Sequence, residues 1–296
     1  MNIKTKIGII SLIILLVLSL GVNFYCIFFY DNFCSYLQDT NEIYIMESGI
    51  IEANLEFREG NDITFTYDFD NTEYDKLLKR YDIKKIAGSG SEFDKAVNLM
   101  HEYSERLSHS TVCDMEPEQM NAEYLLDYAL DEHEHGINCR AKAQILYEMC
   151  LALGIYSRKL WLMPISSYDT DCHVVNEIWD IELNKWIMLD ITNDMYWVDE
   201  NGIPLSVIEI REKLAKQEFC TPVDSKDNHS DLKNVLDDNY DIFMYIAKNM
   251  VYIRYMAEST VGEKKVYDLM PKNLGKLYDS LISEVSVKAA PEVNKF

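Results

Sequence analysis

Positive charge is scarce in this sequence relative to its opposite. Lysine and arginine total 28 against 50 aspartates and glutamates, a formal net charge of -22 over 296 residues. A surface of that sign opposes general binding to nucleic acid, anionic lipid or acidic substrates. Cysteine is sparse too. The thiols at 26, 34, 113, 139, 150, 172 and 220 form no Cys-x-x-Cys pair and no dense framework, so disulfide stapling does not organise the fold. No Gly-rich phosphate loop or other organic-cofactor signature is present, and no internal repeat or low-complexity tract appears. Hydrophobic residues, by contrast, make up 48% of the chain, enough for a real core.

From Ile7 to Tyr30 no residue is charged. Such a run, as a helix, is long enough to cross a bilayer's hydrocarbon core. Lys4 and Lys6 precede it and Asp31 follows, which favours an N-terminus in the cytoplasm and the rest of the chain outside. The expectation is a single-pass signal anchor over 1–30. The alternative is a cleaved signal peptide and a secreted product, because Ser19-Leu20-Gly21 has the small-x-small character of a cleavage site. Cys26 follows the bulky Asn23-Phe24-Tyr25, which argues against a lipid-modified cysteine.

Residues 31–88 read as an N-terminal extension with short strands and a helix: Ile63 to Tyr67 alternates, and Glu73 to Ile86 is helical in character. Gly88-Ser89-Gly90 marks a joint. A main domain over 89–256 opens with Ser91 three residues before Asp94, a capping-box pattern, and a helix carrying Phe93, Val97, Met100 and Leu107. A second helix begins near Asn121, and Asp131 to Gly136, with His133 and His135, reads as an exposed turn. Ser206 starts a helix with Val207, Ile210 and Leu214. Thr221 to Asp231 reads as a polar connection, Tyr240 to Tyr255 as one core-packed helix, and 257–296 as a C-terminal helical segment and tail.

The stretch from Gly136 to Asp190 contains the residues whose types and order imply a reaction. Asn138 is a good N-cap, and Ala143, Leu146, Cys150 and Leu153 recur along one side of a helix that stops at Gly154. Cys139 then sits in the first turn, where unpaired N–H groups and the helix dipole favour a negatively charged sulfur. Strand-like runs follow at Ser157 to Ile165, His173 to Trp179 and Lys185 to Ile191. A hairpin loop centred between Glu182 and Leu183 would pair Asp190 near Val175 and put His173 and Asp190 on one face. The other face carries Val174, Ile178, Ile187, Leu189 and Ile191, ready to pack on the Cys139 helix, and Asn176 within it is read as structural. Singly, a cysteine, a histidine and a strand-end aspartate have bland explanations in core and turns. Jointly they match a nucleophile, a base and an orienting group. Cys150 and Cys172 are read as buried small hydrophobes.

These motifs, Gly136-x-x-Cys139, Gly154-Ile155, Cys172-His173-Val174-Val175-Asn176 and Trp186-x-x-x-Asp190, resemble the transglutaminase-like superfamily over roughly Glu92 to Tyr255. Leu205 to Arg211 and Tyr245 to Asn249 are similar to a bacterial, membrane-anchored branch. The resemblance implies an α+β papain-like core in which a nucleophile-bearing helix packs on an antiparallel sheet, flanked by the N-terminal transmembrane helix and C-terminal helices. It also implies that Cys139, His173 and Asp190 occupy the catalytic positions; no cofactor and no metal are expected. The expected activity is extracytoplasmic, thiol-dependent acyl transfer on peptide or carboxamide bonds of a polypeptide or cell-surface peptide, with hydrolysis preferred. Protein-glutamine transamidation and a catalytically silent binding module at the cell surface are the alternatives. A metal site using His133, His135, Cys139 and His173 is a further alternative, which leaves Asp190 unused. The Cys139 N–H is one candidate oxyanion donor; a second is not identified from the sequence.

Overall fold

The computed structural model describes residues 3–39, 42–112, 115–131, 133, 135–166, 168–225, 240–274 and 280–292. The chain forms two units, Met1–Met46 and Glu47–Phe296. The first is dominated by helix α1 (Ile3–Asp39), within which Thr5–Tyr25 has a mean hydropathy of 2.6 and is long and apolar enough to cross a membrane. The described leucines and isoleucines between Ile7 and Leu20 are exposed on all sides, as in a helix that meets lipid rather than a protein core. Such a helix fits either a transmembrane anchor or a cleavable signal peptide. Helix α2 spans Glu42–Ala53.

In the second unit the short strand β1 (Thr66–Tyr67) precedes α3 (Thr72–Arg80) and α4 (Ile83–Ala87). The expected single helix over Glu73 to Ile86 is broken at Asp82, which takes a left-handed conformation. Helix α5 (Glu92–Arg106) has the anticipated capping box between Ser91 and Asp94, and α6 (Ala122–Ala129) is capped by Asn121. The central helix is α7 (Cys139–Ala152), after which Gly154 adopts φ 77°. Then come β2 (Ser157–Met163), β3 (His173–Asp180), β4 (Lys185–Asp190), β5 (Met195–Val198), α8 (Val207–Lys216) and β6 (Thr221–Asp224). Helix α9 (Tyr240–Asn249), β7 (Tyr252–Met256), β8 (Glu258–Ser259), β9 (Val266–Leu269) and α10 (Glu284–Lys288) complete the described elements.

A seven-stranded antiparallel sheet in the order β6-β5-β4-β3-β2-β7-β9 forms the middle layer. The β3–β4 hairpin has the anticipated register, with Asn176 opposite Leu189 and Asp180 opposite Lys185. Ile178, Ile187 and Leu189 therefore face α7 and share a core cluster with its Leu146 and Cys150. Asn176 lies on the same face and donates Nδ2 to the Ala143 carbonyl of α7 at 2.9 Å, so it ties helix to sheet. Helices α8 and α9 lie on the other face: Glu177 accepts the Val207 N–H at the start of α8 at 2.8 Å, and Trp197 meets Phe243 of α9 edge-on.

Four expectations are corrected. The stretch 240–255 is not one helix, because its last part is the strand β7, hydrogen-bonded between β2 and β9. Its alternation of Tyr252, Arg254 and Met256 with Ile253 and Tyr255 suits a sheet, where a cross-strand partner overrides helical spacing. Thr221–Asp224 adds an edge strand rather than a connection; residues 226–239 lie outside the described ones. The segment after 256 likewise contributes β8 and β9 before the short α10. Finally, α7 is buried from Ala141 to Leu151 all round, not on one side, because α3, α5 and α6 cover its outer face.

Candidate active site

The start of α7 is held from both directions. Asn138 has extended backbone and its Oδ1 accepts the Ala141 N–H at 3.1 Å, which stops the chain continuing as helix upstream of Cys139. Before it, Ile137 pairs with the 108–110 segment: its N–H donates to the Ser108 carbonyl at 3.0 Å, and its carbonyl accepts the Ser110 N–H at 3.1 Å. Cys139 is half-buried, and its Sγ lies 3.9 Å from the Cys172 carbonyl oxygen, just before the first residue of β3. The thiol thus meets β3 at the end of the sheet.

His173 is buried and its Nε2 lies 2.7 Å from Asp190 Oδ2. The turn after β4 wraps the carboxylate. Oδ1 accepts the N–H groups of Thr192 at 3.0 Å and Asn193 at 3.3 Å, and Oδ2 accepts the Asn193 side-chain amide at 2.8 Å. Burial opposes charge on His173, but the Asp190 charge and hydrogen bond, helped by a hydrogen bond with Cys139, outweigh it and raise the imidazole to about 10. Burial likewise works against the ionised Asp190, yet His173 and Asn193 hold its carboxyl below the usual range. With Nε2 committed to Asp190, Nδ1 is the ring nitrogen left for a thiol.

Cys139, His173 and Asn193 line a cleft of about 610 Å³, with Trp161, Arg140 and Tyr245 among its walls. The Tyr245 ring of α9 meets His173 edge-on at 5.4 Å between centroids. The same helix holds the loop before β3, since Tyr245 Oη donates to Asp171 at 3.3 Å and Lys248 Nζ reaches Asp171 at 2.7 Å. Arg140, next to the thiol, pairs with Glu263, whose carboxylate also takes the ammonium of the buried Lys159. Lys142, one helical turn after Cys139, is buried, and burial pushes its ammonium below the ordinary value against the pull of Asp190 and Cys139.

The structure brings Cys139, His173 and Asp190 together, and places His133 and His135 elsewhere. His135 stacks on Tyr128 at 4.4 Å and pairs with Asp131 at 3.3 Å, and neither histidine lines the cleft. Cys150 is fully buried and its thiol is pushed up to about 12 by burial. Cys172 departs from expectation, being half-buried in the cleft wall rather than in the core. Side chains of Cys26 and Cys34, and Cys113 altogether, lie outside the described residues. Sequence reasoning passed over His109, Lys142, Asn193 and Tyr245. Asn193 carried a signal, as an Asn-Asp turn directly after a candidate aspartate; His109 and Tyr245 reach the cleft only through folding, and Lys142 lies one turn along α7 from Cys139, outside the cleft lining.

Residues 80–191 match the family model described as the transglutaminase-like superfamily. The core from α5 to β4 is mixed α+β, an architecture consistent with a transglutaminase-like, papain-like core. No curated protein matches the chain. Among solved structures, a candidate cysteine protease from Cytophaga hutchinsonii is similar at 18% identity over 51% of this chain and 49% of that one, with a TM-score of 0.33. A candidate protease from Parabacteroides distasonis matches at 20% identity over 40% of this chain and 28% of that one, with a TM-score of 0.24. This chain thus spans less than half the length of either protein.

Proposed function

We propose that the protein is a thiol-dependent acyl-transfer enzyme that opens peptide or carboxamide bonds through Cys139, His173 and Asp190. One observation carries the reading: a buried histidine, paired with a buried carboxylate at 2.7 Å, shares a cleft with a thiol in the first turn of a helix. In this mechanism the Cys139 sulfur attacks the carbonyl carbon, and His173 gives its proton to the leaving amine. Asp190 keeps Nε2–H oriented and supports the imidazolium. The resulting thioacyl enzyme is released by water, so the net reaction is hydrolysis. An amine in place of water would give transamidation. The substrate class is a polypeptide or cell-surface peptide, and the enzyme is held on the outer face of the membrane by α1, with residues after Asp31 extracytoplasmic.

The test uses the full-length chain in detergent. A thiol-directed electrophile is expected to label Cys139 faster than Cys150 or Cys172 in folded protein, and peptide mixtures are expected to gain water at cleaved amides. Equal labelling of the three thiols would overturn the enzyme reading in favour of a silent binding module. Ammonia loss with amine incorporation, when a primary amine is supplied, would overturn hydrolysis in favour of transamidation.

A further inference from the structure

An acyl-transfer cleft needs hydrogen-bond donors aimed at the oxygen that becomes negative as the sulfur adds. The Cys139 N–H is available, because it is first in α7 and has no backbone acceptor among the described residues. A single N–H leaves half of that job undone.

The 108–110 segment runs alongside residues 136–138 as a short parallel bridge between His109 and Ile137. Gly136 makes the approach this close. A Cβ at that position would stand 2.8 Å from Ser110 Cβ and 3.1 Å from the His109 carbonyl oxygen. His109 is thereby held beside the start of α7, and it lines the same cleft as Cys139 and His173. Its ring has no hydrogen-bond or ion-pair partner among the described residues, although His101, His135 and His173 each pair with an aspartate. Partial burial, with the charges of Lys142 and His173, holds the His109 imidazole below its ordinary value. A neutral ring keeps one N–H to donate and adds no further cation to the site.

We propose that His109 is a catalytic residue that supplies the second oxyanion donor, with its ring N–H and the Cys139 N–H converging on the substrate carbonyl oxygen. This rests on the acyl-transfer reading above. As the C–S bond forms, the carbonyl π pair moves onto oxygen between the two donors. When the oxyanion collapses, the C–N bond breaks and the amine leaves with the proton from His173.

Two small probes separate this role from others. Acetylation of Cys139 by p-nitrophenyl acetate passes through an oxyanion, with p-nitrophenolate leaving; alkylation by iodoacetamide displaces iodide and forms no oxyanion. In the full-length chain, His109→Ala is expected to slow acetylation about 10²-fold and leave alkylation unchanged. His109→Gln, whose amide can donate, should recover part of the loss. Gly136→Ala, which pushes the 108–110 segment away, should lower acetylation selectively in the same way. The proposal is overturned if His109→Ala acetylates at the wild-type rate, if both reactions fall together, or if the selective loss appears in Thr111→Val instead. Failure of Cys139 to acetylate even in the wild-type protein would instead sink the acyl-transfer reading itself.

Discussion

Asp190 is the residue on which the site's electrostatics turn. It is fully buried, and it is kept ionised by His173 and by the three donors that Thr192 and Asn193 contribute. Asp190→Asn is therefore expected to keep the fold but lower turnover by up to about 10⁴-fold, through loss of the imidazole's orientation and of support for its charge. The same pair shapes stability against pH. His173 is raised above its ordinary 6.5, so its contribution is complete below that value and is lost as pH climbs through the raised one. Asp190 is depressed below 3.8, so its contribution is present above that value and is lost as pH falls through the depressed one. Thermal melts of wild type and Asp190→Asn should differ most between pH 3.8 and 6.5 and converge towards both extremes. A gap that stays constant across the range would contradict the charged pair.

At the scale of elements, the decisive unit is the start of α7. Asn138 satisfies the Ala141 N–H and sets where the helix begins. Asn138→Ala is expected to cost about 1 kcal/mol in denaturant titration and also to slow acylation of Cys139, because fraying would move both the sulfur and its N–H. Asn138→Ser, another capping residue, should restore both readouts; failure to restore either would show that the amide has a role beyond capping. The β3–β4 hairpin and its parity were legible in the sequence, since alternation of apolar residues leaves one register that buries Val174, Ile178, Ile187 and Leu189 together. Strand β7 was not legible. Apart from Arg254 its residues are apolar or aromatic on both faces, so a central strand and a buried helix look alike until the neighbours β2 and β9 are known.

Across the whole molecule, the face of the sheet opposite α7 encloses a charge pair that sequence reading did not anticipate. Arg158 and Glu177, opposite each other on β2 and β3, are both buried and 2.6 Å apart, and Trp186 lies 3.9 Å from the guanidinium. Glu177 also accepts the first N–H of α8, which couples the sheet to that helix. Glu177→Ala is expected to destabilise the fold by about 3–5 kcal/mol, because a buried cation loses its partner, whereas a double apolar replacement at 158 and 177 should cost far less. Denaturant midpoints of the single and double variants check this, and equal losses would show that packing rather than charge decides. For the chain as a whole, the proposed anchor topology predicts that protease added to intact cells digests the part after Asp31. Digestion only after lysis would put it inside.

What the sequence determined by itself was much of what depends on neighbours along the chain, the break at Asp82 apart. The apolar run of α1, the caps at Ser91, Asn121, Asn138 and Ser206, the stop at Gly154 and the hairpin register all follow from spacing and local chemistry. Only the tertiary structure decided what depends on residues far apart meeting. It brought His109 to the start of α7 through Gly136, seated Tyr245 on His173, turned Cys172 into the cleft, and buried Lys142, Gln144 and Glu148 on a helix that reads as one-sided. The reason is physical: local patterns state which groups want cover or a hydrogen-bond partner, but the partner is supplied by a long-range contact, and a polar residue on a helix is indistinguishable from a surface residue until another element closes over it.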